Sequence, residues 1–256
     1  MKSYVLITGA SSGIGKSFAE YYARQGCSLV VVARSKNKLD KFKILMENTY
    51  GIEIVVIPQD LSIPGAAQKV FDLTKELNIN VDTLVNAAGF GLNGLVHDIA
   101  YNEQHNQIVV NVLSLFDLTK LFLSTMKENN QGTIINIASS SAYHPIPSMA
   151  VYAASKAFVL SFTEALAIET KDNHIQVIAM SPGATDTNFF SAGKGVAYGQ
   201  LRTPEHVVEE TIKALRKGKI SKIDGANNYF TSTFLPRMLP RKAMAKMVYN
   251  IMKKTR

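Results

Sequence analysis

The stretch YVLITGASSGIG, residues 4–15, decides the fold of this chain. Its first four residues form an apolar run of the length and composition expected for a strand that is buried on both faces. Beyond the glycine-rich turn, apolar residues at helical spacing continue to Gly26, which predicts a helix. Strand, glycine-rich turn and helix together are typical of a site that binds the pyrophosphate of a dinucleotide.

Three glycines in this turn have separate predicted roles. Gly9 permits a tight turn after the strand, and Gly13 lets a pyrophosphate approach the backbone closely. Gly15 allows the helix to pack on the strand, with the helix N-terminus facing the phosphates. The predicted phosphate-facing turn therefore consists of Gly9, Ser11, Ser12, Gly13, Ile14 and Gly15.

The rest of the chain alternates between buried strands and helices. Strand-like runs occupy residues 29–33, 53–57, 83–86, 133–138 and 175–180, and helical patterns occupy 39–50, 66–77, 102–127, 151–170 and 204–217. This alternation predicts an α/β fold, with one Rossmann-type, doubly wound parallel sheet and helices on both faces. We expect residues 1–224 to form this domain, and residues 225–256 to be a helical extension of it.

A basic residue stands where the second strand ends. Sites that prefer NAD commonly place an acid there, which accepts a hydrogen bond from the ribose 2′-hydroxyl. This chain has Arg34 instead, and an arginine suits a 2′-phosphate through forked, charge-assisted hydrogen bonds. The position therefore predicts NADP(H). After the third strand, Asp60 and Leu61 are candidate adenine contacts, although Asp60 fits an ordinary loop or helix-capping acid equally well.

Tyr152 and Lys156 are four residues apart in a segment whose composition favours a helix. Helical spacing places both on one face, with Cβ atoms about 5–6 Å apart. Because an ammonium beside a phenol stabilises the phenolate, we expect the pKa of Tyr152 to be lowered. Such a tyrosine can give a proton to a carbonyl oxygen or take one from an alcohol. Taken alone, the pair also fits a surface ring covered by a lysine stem.

Several motifs in this order resemble the short-chain dehydrogenase/reductase family, in particular its ketoreductase-type branch, over roughly residues 3 to 220. The matching residues are TGxxxGxG from Thr8 to Gly15, Asp60, Asn86-Ala-Ala-Gly89, Asn111, Ser139, Tyr152-x-x-x-Lys156, Pro182-Gly183 and Thr187. One local departure is Ala142, where many members have a glycine.

This resemblance implies an enzyme that moves a hydride between NADP(H) and a carbonyl or secondary alcohol. Tyr152 would exchange the proton, Lys156 would assist it and hold the nicotinamide ribose, and Ser139 would bind the carbonyl oxygen. Asn111 would hold a water in a proton relay, or would only satisfy local backbone. The resemblance implies further cofactor contacts at Asn86, Ala87, Gly89, Tyr152, Lys156, Pro182, Gly183, Thr185 and Thr187. The alternative, a non-catalytic NADP-binding module for redox sensing or protein interaction, would have no need of Tyr152.

The candidate substrate residues are mostly apolar. They are Ser139, His144, Met149, Phe189, Phe190 and Tyr198. We therefore expect a hydrophobic ketone or alcohol as the small-molecule partner. His144 either contacts substrate or is an exposed loop histidine.

The net charge of +8 is concentrated at the end of the chain. Seven basic and no acidic residues follow Asp224, whereas the remaining 21 basic and 20 acidic residues nearly balance, so no nucleic-acid partner is expected. Apolar residues at 243, 244, 247, 248, 251 and 252 form one stripe, which predicts a basic amphipathic helix. This helix would cover its own domain, bind a sister subunit of a homo-oligomer, or contact a membrane peripherally.

Cysteine and histidine usage points to the reducing cytoplasm and to no metal site. Cys27 is the only cysteine, so an internal disulfide is excluded. The five histidines show no metal-ligand spacing. No uninterrupted run of about 18 apolar residues predicts a membrane span, and the first residues lack the apolar run of a signal peptide.

Overall fold

The computed structural model describes residues 2–187, 189 and 201–253. Within these residues, seven parallel strands form one sheet in the order β3-β2-β1-β4-β5-β6-β7. The strands are β1 (Ser3–Thr8), β2 (Ser28–Ala33), β3 (Ile54–Pro58), β4 (Asn80–Asn86), β5 (Gly132–Ile137), β6 (Ile175–Ser181) and β7 (Ser221–Ile223). The strand order reverses between β1 and β4, and ligands of such sheets bind in the crevice at that point.

The helices connect these strands and form the layers outside the sheet. They are α1 (Gly13–Arg24), α2 (Lys36–Tyr50), α3 (Ala66–Glu76), α4 (Tyr101–Ile108), α5 (Leu115–Glu128), α6 (Ala150–Glu169), α7 (Pro204–Arg216), α8 (Ala226–Tyr229), α9 (Leu235–Met238) and α10 (Arg241–Lys253). Two π-helical segments, Val109–Ser114 and Phe230–Phe234, join α4 to α5 and α8 to α9.

The core lies on both faces of the sheet, as the doubly wound prediction requires. On one face, α1, α2 and α7 contribute Phe18, Leu39 and Val207 to one buried cluster. On the other, α3, α5 and α6 contribute Val70, Phe122 and Leu166 to a second cluster. Burial of each such side chain contributes about 1.5–3 kcal/mol. The α/β fold with a parallel sheet is therefore confirmed.

Two features of the backbone were not predicted. β7 escaped prediction because its three residues, Ser-Lys-Ile, are too few and too polar for a recognisable strand pattern. The helix predicted over 102–127 is continuous from Tyr101 to Glu128, but a π segment interrupts its α geometry around Asn111. Such a segment widens one turn, and π turns are frequent at functional sites.

Among the residues that the structure describes, two helices are long and apolar enough to span a membrane by length and composition, namely Tyr101–Glu128 and Ala150–Glu169. Neither helix contains an uninterrupted apolar run of about 18 residues, because polar residues such as Asn111 and Lys156 interrupt it. Both pack against the sheet through their buried apolar residues, while other apolar side chains such as Phe116 and Ile168 stay exposed. We therefore interpret them as core helices of the α/β domain.

Candidate active site

The glycine-rich turn between β1 and α1 has the open backbone expected of a phosphate site. Gly9 and Gly13 adopt φ values of +69° and +54°, in the region that favours glycine. A Cβ on Gly9 would stand 3.0 Å from the backbone of Ala88, and a Cβ on Gly15 would collide with the Gly9 carbonyl oxygen. Space at this turn is therefore available only because these side chains are absent.

The start of α1 fits an anionic group. In the described structure Ser12, the N-cap residue, makes no side-chain capping hydrogen bond, and the first turn carries no acid. The N–H groups of the first turn of α1 and the positive end of its helix dipole are therefore available to bind a phosphate. Thr187 lies close above this turn, since a Cβ on Gly13 would stand 2.9 Å from its methyl carbon.

Three predicted catalytic side chains converge on one cavity of about 520 Å³. Tyr152 and Lys156 lie one turn apart on α6 and are only 8% and 5% exposed. The Lys156 Nζ atom donates a hydrogen bond of 2.7 Å to the carbonyl of Ile137, at the end of β5. Ser139 follows two residues later, and its hydroxyl oxygen accepts from the Ser141 N–H at 3.1 Å. The strand end thus fixes both Lys156 and Ser139 relative to Tyr152.

The predicted lowering of the Tyr152 pKa is wrong for the protein alone. Burial raises the pKa of Tyr152 to about 12, although a hydrogen bond with the Ser139 side chain acts in the opposite direction. Burial also lowers the pKa of Lys156 to about 8. The Lys156 Nζ atom lies 5.9 Å from the Tyr152 ring centroid. Desolvation by burial therefore sets the direction of both pKa shifts, and helical spacing alone does not reveal burial.

Asn111 lies beside this group, but its amide is occupied by protein atoms. Its Oδ1 accepts from the Phe90 N–H at 3.1 Å, and its Nδ2 donates to the Phe90 carbonyl at 2.9 Å and to the Ser155 hydroxyl at 3.1 Å. A Cβ on Gly89 would stand 3.1 Å from the Asn111 Oδ1 and 3.4 Å from the Lys156 Nζ. The side chain thus satisfies local backbone, the second alternative that the sequence left open, while it lies close to Lys156.

Many of the predicted cofactor residues line the same cavity. They are Ile14, Ala87, Gly89, Tyr152, Lys156, Pro182, Gly183, Thr185 and Thr187. Arg34 is exposed and follows β2 directly, next to the strand that carries the glycine-rich turn. Ala87, Gly89, Pro182 and Gly183 follow the carboxyl ends of β4 and β6, and Ile14 and the Tyr152–Lys156 pair reach the same cavity from α1 and α6.

Asn86 has a different environment from the one predicted. Its Nδ2 donates to the Thr119 hydroxyl at 3.0 Å and to the Asn136 Oδ1 at 2.9 Å, inside the protein. The side chain is 2% exposed and does not line the cavity. Only the Asn86 backbone is therefore available to a cofactor. Successive side chains of a strand point to opposite faces, so Asn86 points away from the face of its neighbour Ala87.

Asp60 and Leu61 also make local contacts. The Asp60 Oδ1 accepts hydrogen bonds from the Ser62 N–H at 2.9 Å and from the Ser62 hydroxyl at 2.8 Å. The Leu61 carbonyl accepts from the Ser114 hydroxyl at 2.6 Å, and the Leu61 side chain is buried. These contacts match the ordinary loop-acid alternative for Asp60 and leave its second carboxylate oxygen for a ligand.

Three of the predicted substrate residues besides Ser139 line the cavity: His144, Met149 and Phe189. His144 is half-buried there, so the alternative of an exposed loop histidine is excluded, and burial lowers its pKa. The Phe189 and Tyr152 ring centroids are 5.2 Å apart. Phe190 and Tyr198 lie outside the described residues.

The opposite wall of the cavity comes from the end of the chain, and sequence reasoning did not assign it to the site. The wall residues are Asn227, Asn228, Thr231, Ser232, Leu235, Met244, Met247, Val248 and Ile251. Met244 is only 3% exposed. Four of these residues belong to the apolar stripe noted in the sequence, which indicated a covered helix face but not what covers it.

Comparison with known proteins agrees with this geometry. A family model described as short chain dehydrogenase matches residues 3–194. The 7beta-hydroxysteroid dehydrogenase of Mediterraneibacter gnavus is 31% identical over 229 residues, which are 87% of this chain and 86% of that protein.

Two solved structures have the same fold over nearly their full length. A 7beta-hydroxysteroid dehydrogenase superposes with a TM-score of 0.87 at 28% identity, over 96% of each chain. A short-chain dehydrogenase from Sphingobium yanoikuyae in complex with NADPH has a TM-score of 0.83 at 26% identity, over 99% of this chain and 96% of that one. This protein therefore belongs to the short-chain dehydrogenase family and is an oxidoreductase.

Proposed function

We propose that this enzyme transfers a hydride between NADP(H) and the carbonyl or secondary alcohol of a bulky, hydrophobic substrate. The observation that carries the proposal is the meeting of Ser139, Tyr152 and Lys156 in one cavity that Ile14 of the glycine-rich turn also lines. A volume of about 520 Å³ is in the range of small-molecule sites.

NADP(H), when bound, supplies or accepts the hydride, and the side chains manage the proton. Tyr152 is protonated at neutral pH, because burial raises its pKa to about 12, and this state suits a donor to a carbonyl oxygen. The Ser139 hydroxyl hydrogen-bonds the same oxygen and stabilises the charge that develops there. Lys156, whose burial lowers its pKa to about 8, binds the nicotinamide ribose and returns a proton to Tyr152.

The preference for NADP(H) is assigned to Arg34. This exposed guanidinium stands directly after β2, where it can form forked hydrogen bonds with a 2′-phosphate. The NADPH complex of the Sphingobium relative supports the same choice. Asn111 acts as a positioning residue in this scheme, because its amide holds the Phe90 backbone beside Gly89 and Lys156.

The apolar walls support a bulky hydrophobic substrate. Met149 and Phe189 line the cavity on one side, and Leu235, Met244 and Val248 line it on the other. The hydroxysteroid dehydrogenase relatives are named for a substrate of this kind. Substrate identity within this class depends on how these walls fit its carbon skeleton.

We also propose a homo-oligomeric assembly and a single catalytic domain that includes the end of the chain. Apolar side chains on α5 and α6 remain exposed, including Phe116 at 40% and Ile168 at 64%, which supports a homo-oligomer formed through these helices. Because Met244 is buried at the cavity, we treat residues 225–256 as an extension of the catalytic domain. We assign the enzyme to the cytoplasm, in line with its single cysteine.

A panel of ketones and secondary alcohols tests the activity, with NADPH or NADP⁺ absorbance as the readout. We expect Tyr152→Phe to lower the rate by about 10²–10⁴-fold, since the phenol proton is lost while the ring remains. Tyr143→Phe, a second half-buried tyrosine outside the cavity, is the matched control. Equal turnover by wild type and Tyr152→Phe would refute the catalytic role and favour the non-catalytic binding module.

A further inference from the structure

The last helix of the chain, α10, has two chemically distinct faces. The inner face lines the active-site cavity with Met244, Met247, Val248 and Ile251. The outer face carries an exposed stripe at i, i+4, i+7 and i+11, namely Lys242, Lys246, Tyr249 and Lys253. On a helix these two sets are about 180° apart, so one element separates the substrate cavity from a basic outer surface.

The helical segment that precedes α10, residues 226–238, carries an exposed apolar ridge of its own. Phe230, Phe234 and Met238 follow one another at four-residue spacing and are 54%, 50% and 66% exposed. The two phenyl rings stack on each other, with centroids 5.0 Å apart. Arg237 and Arg241 are exposed at the end of the same ridge. A contiguous apolar ridge flanked by cations is typical of a surface that meets a lipid interface.

The positive charge of residues 225–256 favours an anionic membrane over a second copy of this chain as the partner. No acidic residue occurs from Gly225 to Arg256, and seven basic ones do. A second copy bound through this face by a two-fold axis would oppose the two sets of cations, which is unfavourable. A bilayer with anionic headgroups offers the complementary charge together with an apolar layer for the phenyl rings.

We propose that the outer face of residues 226–253 is a peripheral docking surface for anionic membranes, through which apolar substrate reaches the cavity. Ile251 carries the second part of the proposal, because it lines the cavity and is also 49% exposed. The cavity therefore reaches the surface at Ile251, near the end of α10. Substrate delivery rests on the proposed function, whereas membrane binding itself does not.

Vesicle flotation tests the docking surface without any activity measurement. The full chain is mixed with vesicles of phosphatidylcholine alone, or with about one third phosphatidylserine. We expect binding to the anionic vesicles that weakens at 0.5 M salt, and little binding to the neutral ones. Because each lysine near an anionic surface contributes roughly a fivefold factor, Lys242→Gln combined with Lys246→Gln should weaken binding by at least about tenfold.

Two double variants test whether vesicle binding depends on this particular surface or on exposed charge and hydrophobicity anywhere on the protein. Lys38→Gln combined with Lys41→Gln removes two exposed lysines of α2 and should leave vesicle binding unchanged. Phe230→Ser combined with Phe234→Ser should weaken vesicle binding by at least about tenfold while turnover of a small water-soluble ketone stays at the wild-type rate. Equal binding to both vesicle types, or full binding by the Lys242/Lys246 variant, would contradict the proposal.

The oligomeric state and a vesicle-loaded substrate complete the test. If the phenyl variant shifts to a smaller assembly in size-exclusion chromatography, the ridge is a subunit interface and the proposal is overturned. If wild-type turnover of a lipid-soluble ketone is not faster with anionic than with neutral vesicles, substrate access through this face is overturned. Failure of the proposed catalytic function would instead abolish turnover of the water-soluble ketone as well.

Discussion

The two walls of the active-site cavity are built in different ways. On the catalytic wall, Tyr152 and Lys156 are almost fully buried, and backbone hydrogen bonds fix Lys156 and Ser139 at the end of β5. On the tail wall, the apolar residues range in exposure from 3% at Met244 to 49% at Ile251, and Asn228 and Thr231 add polar groups. Directional bonds hold the chemistry in place, whereas the opposite wall supplies area and shape. Changes to the first wall should therefore affect kcat, and changes to the second should affect KM and substrate preference.

Among the substitutions that test this difference between the two walls, Ser139→Ala should change the kinetics most. Removal of a hydroxyl that stabilises developing charge should lower kcat by about 10²–10³-fold and leave KM within about threefold. Ser140→Ala, at the next residue along the same cavity, is the control and should change kcat by less than about threefold. Steady-state kinetics with a small soluble ketone measure both. A loss confined to KM would mean that Ser139 belongs to the shape-giving wall.

The second prediction concerns the pH dependence of the free energy of unfolding, which the buried ammonium of Lys156 should change. Burial lowers the pKa of Lys156 in the folded protein to about 8, below its ordinary value of 10.5, so the unfolded chain binds more protons between these pH values. The free energy of unfolding should therefore rise as pH increases from 8 towards 10.5. Between pH 7.5 and 10, wild type should gain about 2–3 kcal/mol relative to Lys156→Met.

Urea unfolding of the cofactor-free enzyme at both pH values measures this difference. The tyrosines are the same in both proteins, so their contribution to the pH dependence cancels in the comparison. Lys242→Met, at an exposed position on α10, should retain the wild-type pH dependence. Parallel pH profiles for wild type and Lys156→Met would show that Lys156 is not desolvated as the structure indicates.

A smaller effect is expected at the adenosine end of the site, where the contact is exposed. Arg34→Asp should reduce the NADPH-to-NADH ratio of kcat/KM by about 10–100-fold, because a charge-assisted hydrogen bond contributes about 1.5–3 kcal/mol. Lys38→Asp makes the same charge change on α2 and should alter the ratio by less than about threefold. An unchanged ratio in Arg34→Asp would remove the sequence argument for NADP(H).

The smallest effect is expected from the tail wall. Met244→Ala should raise KM for a bulky hydrophobic ketone by about 3–10-fold, since one buried apolar contact of 1–3 kcal/mol is partly lost. It should leave kcat for a small ketone nearly unchanged. Met238→Ala, which is 66% exposed and outside the cavity lining, is the control. An equal fall in kcat for both ketones would mean that the tail also positions the catalytic wall.

Sequence reasoning was most successful where the physical signal is local. The glycine-rich turn between β1 and α1 and the one-turn spacing of Tyr152 and Lys156 are both set by backbone geometry within a few residues. It failed where the answer depends on distant neighbours. The Asn86 amide pairs with Asn136 and Thr119, and the pKa of Tyr152 rises through burial. Residue spacing predicts neither the hydrogen-bond partners of Asn86 nor the desolvation of Tyr152, because both depend on residues far away along the chain.

The sequence by itself therefore determined the class of fold, the order of its strands along the chain and the residue types available for proton and hydride chemistry. Periodicity and turn chemistry suffice for these, because they act between residues that are close along the chain. Packing between distant segments, visible only in the three-dimensional structure, brings Met244 and Ile251 into the lining of the cavity that Ser139 and Tyr152 also line. An apolar stripe reports that a helix face is covered, but the covering surface is chosen by packing between segments about a hundred residues apart.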